Sequence, residues 1–428
     1  MEKFDAIIMG AGLAGLGCAW TLAGKGLEVL VLERGDYPGA KNLSGGRLYV
    51  NLVRELFPGL WDEVPLERFI VHEGVTVMAG ERSLTLDYSG DELRAAPHQS
   101  YSVLRSRVDR WISERLEEKG VMILPKTRVD DAIRENGKIA GVIAGGDDLR
   151  ADVVVACDGV VSLLAEKAGL HPPGRAEHYA VAIKEVIALD PSRINDRFNL
   201  DGNEGTARLY VGEVTGGLFG GGFLYTNKDS LSLGLVMGIQ DFVRKGGAAE
   251  LPALLDAFKS RPEIAPLVKG GRTLEYGAHM IPEGGYGGLV PLFGDGILVA
   301  GDAAGFALNM GFTVRGMEYA MASGHFAGKA VLKAKEAGIF DATSLSIYGK
   351  MLEESFVLKD FIRFRESPAV LSNPRFFNHY PDLIGEIMKD LYSIPAGPKE
   401  RIFPTVRKHL PLGEIWAIFK DLRGIARI

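Results

Sequence analysis

Six residues near the amino end have the types and spacing to hold a pair of phosphates. Gly10-Ala11-Gly12-Leu13-Ala14-Gly15 is a complete GxGxxG, preceded by the apolar run Phe4 to Met9 and followed by a helix-forming stretch from Leu16 to Lys25. In that setting Gly10 makes the tight strand-to-helix turn, Gly12 lets the backbone reach a pyrophosphate, and Gly15 lets the helix lie close to the strand. The helix start at Leu13 and Ala14 offers free N–H groups and a positive dipole end to the phosphates. A second strand, Glu28 to Glu33 (EVLVLE), ends in a carboxylate placed to accept from a ribose hydroxyl, with Arg34 beside it. This is the chemistry of a dinucleotide site.

Two further segments repeat the pattern of a strand closing on Gly and Asp. Asp152 to Cys157 (DVVVAC) closes on Asp158-Gly159, and Gly296 to Gly301 (GILVAG) closes on Asp302. Ligands of open α/β sheets bind beyond the carboxyl ends of the strands. Three such ends predict one elongated ligand lying along a single rim. Asp158 is explained nearly as well by an Asp-Gly turn, and Asp302 has the alternative of capping a helix. Arg105 opens an amphipathic helix with Trp111, Leu116 and Val121, where by itself it reads as a solvated arginine at a helix start.

The elements that must position these groups need a large chain. At 428 residues, 46% hydrophobic and 24% charged, the sequence suits two or three globular domains. A net charge of −6 argues against nucleic-acid binding. Cys18 and Cys157 are the only cysteines. They read as buried thiols in a reducing cytoplasm and are too few for an iron–sulfur cluster, which takes about four. Met1 to Asp5 leads straight into a strand, so no signal peptide is expected, and no stretch reaches the ~18 apolar residues of a spanning helix. The expected location is cytoplasmic, with any membrane contact peripheral. No HExxH, CxxC or Ser-His-Asp arrangement stands out, so neither a catalytic residue nor a metal ligand is assigned.

The motif set resembles that of the p-hydroxybenzoate-hydroxylase-like flavoproteins. The resemblance implies FAD, with Gly301 and Asp302 at the ribitol chain and Arg105 at the phosphates or ring edge. It also implies backbone contact with adenine near Val129 and a further contact at Asp158-Gly159. Gly311, Phe312 and Thr313 match the segment that passes the flavin pyrimidine end, where backbone N–H groups meet the negative charge that reduction builds. A helix starting near Arg315 would strengthen that field.

Beyond these motifs, the chain is similar to electron-transfer-flavoprotein:quinone oxidoreductases, and most of all to their FixC branch. The matching stretches are Gly39 to Tyr49 (GAKNLSGGRLY), Gly220 to Asn227 (GGGFLYTN) with Leu231 to Leu235, Ala300 to Gly316, and Asn373-Pro374-Arg375 with Tyr380-Pro381. In the first of them, Ser44, Gly45 and Gly46 are expected to touch the cofactor. Full-length members carry a C-terminal ferredoxin-like domain with a 4Fe–4S cluster, and this sequence has no cysteine past Cys157. In the FixC branch the cluster resides on a small separate subunit. The resemblance therefore implies three partners: that iron–sulfur subunit, an electron-transfer-flavoprotein heterodimer and a membrane quinone. Some such complexes split electron pairs from NADH between ferredoxin and a quinone. The rival readings are an aromatic-ring monooxygenase, a geranylgeranyl-reductase-like enzyme and a non-catalytic flavin scaffold.

The expected fold is α/β plus α+β. A Rossmann-like FAD domain of the p-hydroxybenzoate-hydroxylase type would span 1–75, 100–175 and 288–345. An inserted β-sheet domain for quinone or substrate would span 76–99 and 176–287, and a helical region 346–428. Gly216-Gly217 and Gly220-Gly221-Gly222 are either a thin wall beside a ligand or a flexible hairpin. Tyr225 is either a quinone donor or a core tyrosine. Near the end, Ile415, Ile418, Phe419, Leu422 and Ile425 recur at helical spacing beside Trp416, with Lys420, Arg423 and Arg427 largely off the stripe. Such a helix lies in a membrane interface, docks on a partner or packs on its own core.

Overall fold

The computed structural model describes residues 3–42, 45–171, 174–244 and 251–428. The apolar runs form a parallel sheet. Lys3–Met9 pairs with Asp147–Ala156 on one side and Val29–Leu32 on the other, and these pair in turn with Ile297–Val299 and Met122–Leu124. Runs such as Val153-Val154-Val155 are buried throughout, as strands covered on both faces must be. All five strands point the same way, so their carboxyl ends share one edge. The expected strands are present with shifted ends. The helices Leu13–Leu22 and Met317–Ala337 pack so closely that a Cβ on Gly324 would lie 1.9 Å from the Ala14 carbonyl oxygen.

A second, nine-stranded sheet runs Arg272–Pro282, Tyr179–Ala188, Ser230–Gly238, Gly220–Thr226, Glu204–Gly212, Phe69–Ala79, Tyr101–Val103, Gly46–Leu48, with Arg82–Ser89 paired to Phe69–Ala79. The border expected at residue 75 falls inside the strand Phe69–Ala79. Its register is continuous on either side of that residue, with Gly74 opposite Arg208 and Thr76 opposite Tyr210. The continuous apolar pair Ile70-Val71 hid the alternation that becomes visible only from Val75. Gly46–Leu48 and Tyr101–Val103, from stretches expected to lie with the parallel sheet, also pair with this sheet.

Alternation gives the second sheet two different faces. Ile183, Ile187, Leu231, Leu233 and Leu224 form a core with Ile194 and Phe198 of the helix Pro191–Phe198 and with Leu255 and Phe258 of Leu251–Ser260. The intervening residues turn the other way. Register places Val186, Ser232, Tyr225, Ala207 and Glu73 in one row across the sheet, with Lys184, Gly234 and Phe223 in the next. This second face receives the loop that contains Gly45.

The helical expectation for the carboxyl-terminal region holds. Tyr348, Leu352, Val357 and Phe361 complete the core of the parallel sheet. The last helix, Leu412–Ile425, has no buried residue. Arg375 ties it down through Glu414 at 2.5 Å and Asp421 at 3.0 Å, and His379 adds a 2.8 Å contact to Glu414. Trp416 is 69% exposed and Leu422 54%, so the stripe does not sink into the chain's own core.

Candidate functional site

The glycine loop has the shape its spacing predicts. Gly10 has φ +98°, and a Cβ there would lie 2.3 Å from the Cys157 carbonyl oxygen. A Cβ on Gly15 would lie 1.9 Å from the Gly10 carbonyl oxygen. Gly12 differs. As the N-cap residue of Leu13–Leu22, it has in front of its Cβ position only the Arg105 guanidinium, at 3.7 Å. Two glycines are therefore required by the fold, and the middle one keeps a space clear ahead of a helix start.

Glu33 is buried and grips the loop itself. Its Oε2 accepts from Ala11 N–H at 3.0 Å and its Oε1 from Gly35 N–H at 2.6 Å. Each oxygen keeps a lone pair for a ribose hydroxyl. Arg34 is exposed beside it. Thr127 N–H donates to the Glu33 carbonyl at 2.8 Å, which brings the following strand, beginning at Val129, to the same end of the rim.

Arg105 opens the helix Arg105–Glu118 and is locked by Asp109, through Nε to Oδ1 and Nη2 to Oδ2, each at 2.7 Å. Asn42 donates to Asp109 at 2.6 Å. Burial works against the Arg105 charge, but Asp109 and then Asp302 outweigh it and hold its pKa above the ordinary arginine value. Asp302 lies in the single turn Gly301–Ala304, and its carboxylate meets no hydrogen-bond donor among the described residues. Burial raises its pKa and Arg105 partly offsets this. Asp158 is engaged differently: Leu164 N–H and the Ser162 hydroxyl donate to it at 3.0 and 3.3 Å. It thus holds the start of the helix Leu163–Lys167, while the Gly159 carbonyl accepts from Ser162 N–H at 3.0 Å and the Gly159 N–H stays open among the described residues.

The flavin-end loops meet on the second sheet. Ser44 lies outside the described residues. Gly45, at φ +81°, rests on Ser232, and a Cβ would come within 2.0 Å of the serine oxygen. Its carbonyl accepts from the Lys184 ammonium. Gly46 begins the strand that carries Arg47 and Tyr49 across to the second loop. In that loop the Gly311 N–H is held by Asn309 Oδ1 at 3.0 Å, so the donor expected there is internally engaged. Phe312 at the tip is 79% exposed. Thr313 Oγ1 lies 2.6 Å from Tyr49 Oη. The following helix starts at Met317, two residues later than expected.

Several groups here carried no assigned role at the level of sequence. Lys184 is buried beside Glu185 in the largely apolar strand Tyr179–Ala188. Burial lowers its pKa to about 7, Glu275 opposes that shift and Arg105 adds to it. His279 is also pushed down, by burial and by Arg105, Arg34 and Lys184. Arg105, Arg34 and Lys184 make one electropositive region around His279, near the glycine loop. Glu283 is buried, and burial raises its pKa to about 7 with the Asn309 side chain partly opposing the shift. Arg47 forms a bidentate pair with Glu73. The only advance sign was a charge within an apolar strand, as in AVAIKEVIA.

An elongated dinucleotide fits this rim. It would bring phosphates to the open Gly12 position and the electropositive region, and hydroxyls to the donor-free Asp302 carboxylate. Among the described residues there is no group of three or more His, Cys, Asp or Glu able to hold a metal ion. Both cysteines are buried, and burial raises their pKa values.

Comparisons agree with that geometry. A family model described as an FAD binding domain matches residues 3–199, and one described as FAD dependent oxidoreductase matches 105–329. The chain is 46% identical over 420 residues to a probable electron transfer flavoprotein-quinone oxidoreductase, YdiS, of Escherichia coli, covering 98% of this chain and 97% of that one. It is 44% identical over 425 residues to the protein FixC of Salmonella typhi, covering 99% of each. Among solved structures, a geranylgeranyl bacteriochlorophyll reductase-like protein from Thermoplasma acidophilum superimposes with TM-score 0.73 at 20% identity, over 99% of this chain and 100% of that one. At that identity the likeness concerns the fold.

Proposed function

The chain belongs to the electron-transfer-flavoprotein:quinone oxidoreductase family, in its FixC branch, and from that premise we propose that this FAD-dependent oxidoreductase takes electrons from an electron-transfer flavoprotein or ferredoxin-like partner and passes them to a membrane quinone. Bound in the rim, FAD supplies the redox chemistry, taking up and giving out electrons one or two at a time. The chain's own residues bind, orient and tune.

Gly10, Gly12, Leu13, Ala14 and Gly15 form the phosphate cradle, and Arg105, aligned by Asp109, adds a fixed cation. Glu33 and Arg34 flank the adenosine ribose, with Val129 behind the adenine and Gly159 as backbone support. Asp302, next to Gly301, accepts from the ribitol hydroxyls. Gly45 and Gly46, with Gly311, Phe312 and Thr313, would hold the ring end of the cofactor. Asn309 fixes the turn of that second loop. Lys184 and the start of Met317–Ala337 place positive potential near the ring, which favours the reduced, more negative cofactor.

The observation that carries this reading is the donor-free Asp302 carboxylate beside Arg105, on the rim where the strand ends converge. The two cysteines of this sequence are too few to hold an iron–sulfur cluster, and a cluster on a small ferredoxin-like subunit is part of the proposal. Electron bifurcation within the resulting complex belongs to the same proposal. Co-purification with an electron-transfer-flavoprotein heterodimer and a small ferredoxin-like subunit, with flavin and iron counted per complex, tests it. A chain that retains FAD but captures neither partner would contradict it.

The terminal helices supply the membrane side of the reading. Ile402, Phe403, Leu412 and Trp416 are 73%, 77%, 77% and 69% exposed. Lys420 and Arg423 make no ion pair among the described residues. An apolar, aromatic surface edged by cations suits a peripheral site on anionic lipid. No helix among the described residues is long and apolar enough to cross a membrane. Co-sedimentation with phosphatidylglycerol vesicles is expected, with loss in Phe403→Glu/Trp416→Glu. Equal sedimentation of the double variant would contradict it.

A further inference from the structure

One tyrosine joins the two loops that line the ring end of the site. Tyr49 follows the strand Gly46–Leu48, and its Oη lies 2.6 Å from Thr313 Oγ1, 264 residues away in sequence. Two guanidinium groups flank its ring. The Arg47 carbon is 4.4 Å from the ring centre and that of Arg315 is 5.7 Å.

Both arginines are held in place. Arg47 donates to Ser100 Oγ at 3.0 Å and pairs with Glu73 through both carboxylate oxygens. Arg315 donates to Glu318 at 2.6 Å and to Asp360 at 2.9 Å. Burial holds the Tyr49 pKa above the ordinary tyrosine value and Arg47 only partly offsets it, so the phenol keeps its proton and stays available as a donor.

We propose that Tyr49 is the proton donor to the quinone carbonyl, and that Thr313 refills it. This rests on the quinone reading above. Reduction of the quinone takes two electrons, which come from the reduced cofactor, and two protons. The Tyr49 O–H bond breaks as an O–H bond forms on one quinone oxygen. In the same shift the Thr313 hydroxyl proton moves to the Tyr49 oxygen, and solvent replaces it at the half-buried threonine. The second proton comes from solvent. The product is the quinol, and both side chains end as they began.

The FAD-loaded chain, reduced with dithionite without excess, is mixed anaerobically with ubiquinone-1 or menadione. A parallel sample receives ferricenium, which takes an electron without a proton. Tyr49→Phe is expected to slow quinone reduction at saturating quinone by about 100-fold, the lower end of what a positioned acid contributes. The ferricenium rate stays at the wild-type value. Thr313→Val slows quinone reduction in the same direction, and Thr313→Ser restores it.

A Tyr49→Phe protein with the wild-type quinone rate overturns the proposal. So does a loss shared by both acceptors, which marks a structural role, or a loss seen only in Tyr225→Phe. A wild-type protein that reduces ferricenium but no quinone brings down the functional reading, and this proposal with it.

Discussion

Gly12→Ala separates the cradle's binding role from its folding role. At Gly12 φ is −82°, which any residue adopts, and an added methyl meets only the Arg105 guanidinium at 3.7 Å. The cost to the apoprotein is that of a poorer N-cap, about 0.5–1 kcal/mol. Gly15→Ala instead drives a methyl to 1.9 Å from a backbone oxygen, and overpacking of that kind costs roughly 1–3 kcal/mol or more. For the cofactor the order reverses. The Gly12 methyl stands where the pyrophosphate approaches, and losing one hydrogen bond to a charged group costs about 1.5–3 kcal/mol, a factor of roughly 10 to 150 in Kd. Calorimetric titration of FAD into the apoproteins, with their melting curves, reads both effects. Gly12→Ala should melt near the wild type and bind FAD at least about 10-fold more weakly. A Gly12→Ala protein with the wild-type Kd would refute the reasoning.

Two buried groups predict opposite pH effects on apoprotein stability. Glu283 titrates near pH 7 in the folded chain against an ordinary value of 4.5, so its contribution is full below 4.5 and is lost as pH rises through 7. Glu283→Gln should flatten that decline in urea melts. Lys184 titrates near 7 against 10.5, so its contribution is present above 10.5 and is lost as pH falls through 7. Lys184→Met should be more stable than the wild type at pH 6, with the gap closing by pH 10. Arg375→Ala removes the shared cation of Glu414 and Asp421. Limited proteolysis between Tyr392 and Leu412 should then accelerate with little change in FAD content.

The parts legible in the sequence are local ones. Gly10, Gly12 and Gly15 stand at a fixed spacing within one turn, and the strands that close on Gly159 and Asp302 are continuous apolar runs. What stayed hidden depends on chain segments meeting in space. The Tyr49–Thr313 contact joins residues far apart in sequence, and no periodicity announces it. Glu33 was expected to face a ribose and instead also holds Ala11 and Gly35, because a buried carboxylate must find donors. Asp158 spends its side chain on Ser162 and Leu164 at the start of the next helix, a contact that its Asp-Gly sequence did not announce. Lys184 was the one distant group with a visible signal. The domain border was misplaced because Phe69–Ala79 begins with apolar neighbours that mask a strand's alternation.

The most direct test of the account is anaerobic reoxidation of the reduced, FAD-loaded chain by a quinone carried in phosphatidylglycerol vesicles, followed by flavin absorbance. Rapid reoxidation, with one quinol formed per flavin and no acceleration by NADP⁺, is the expected result. Flavin that stays reduced in the presence of quinone, in protein that consumes NADPH and oxygen with an aromatic substrate, would contradict the account.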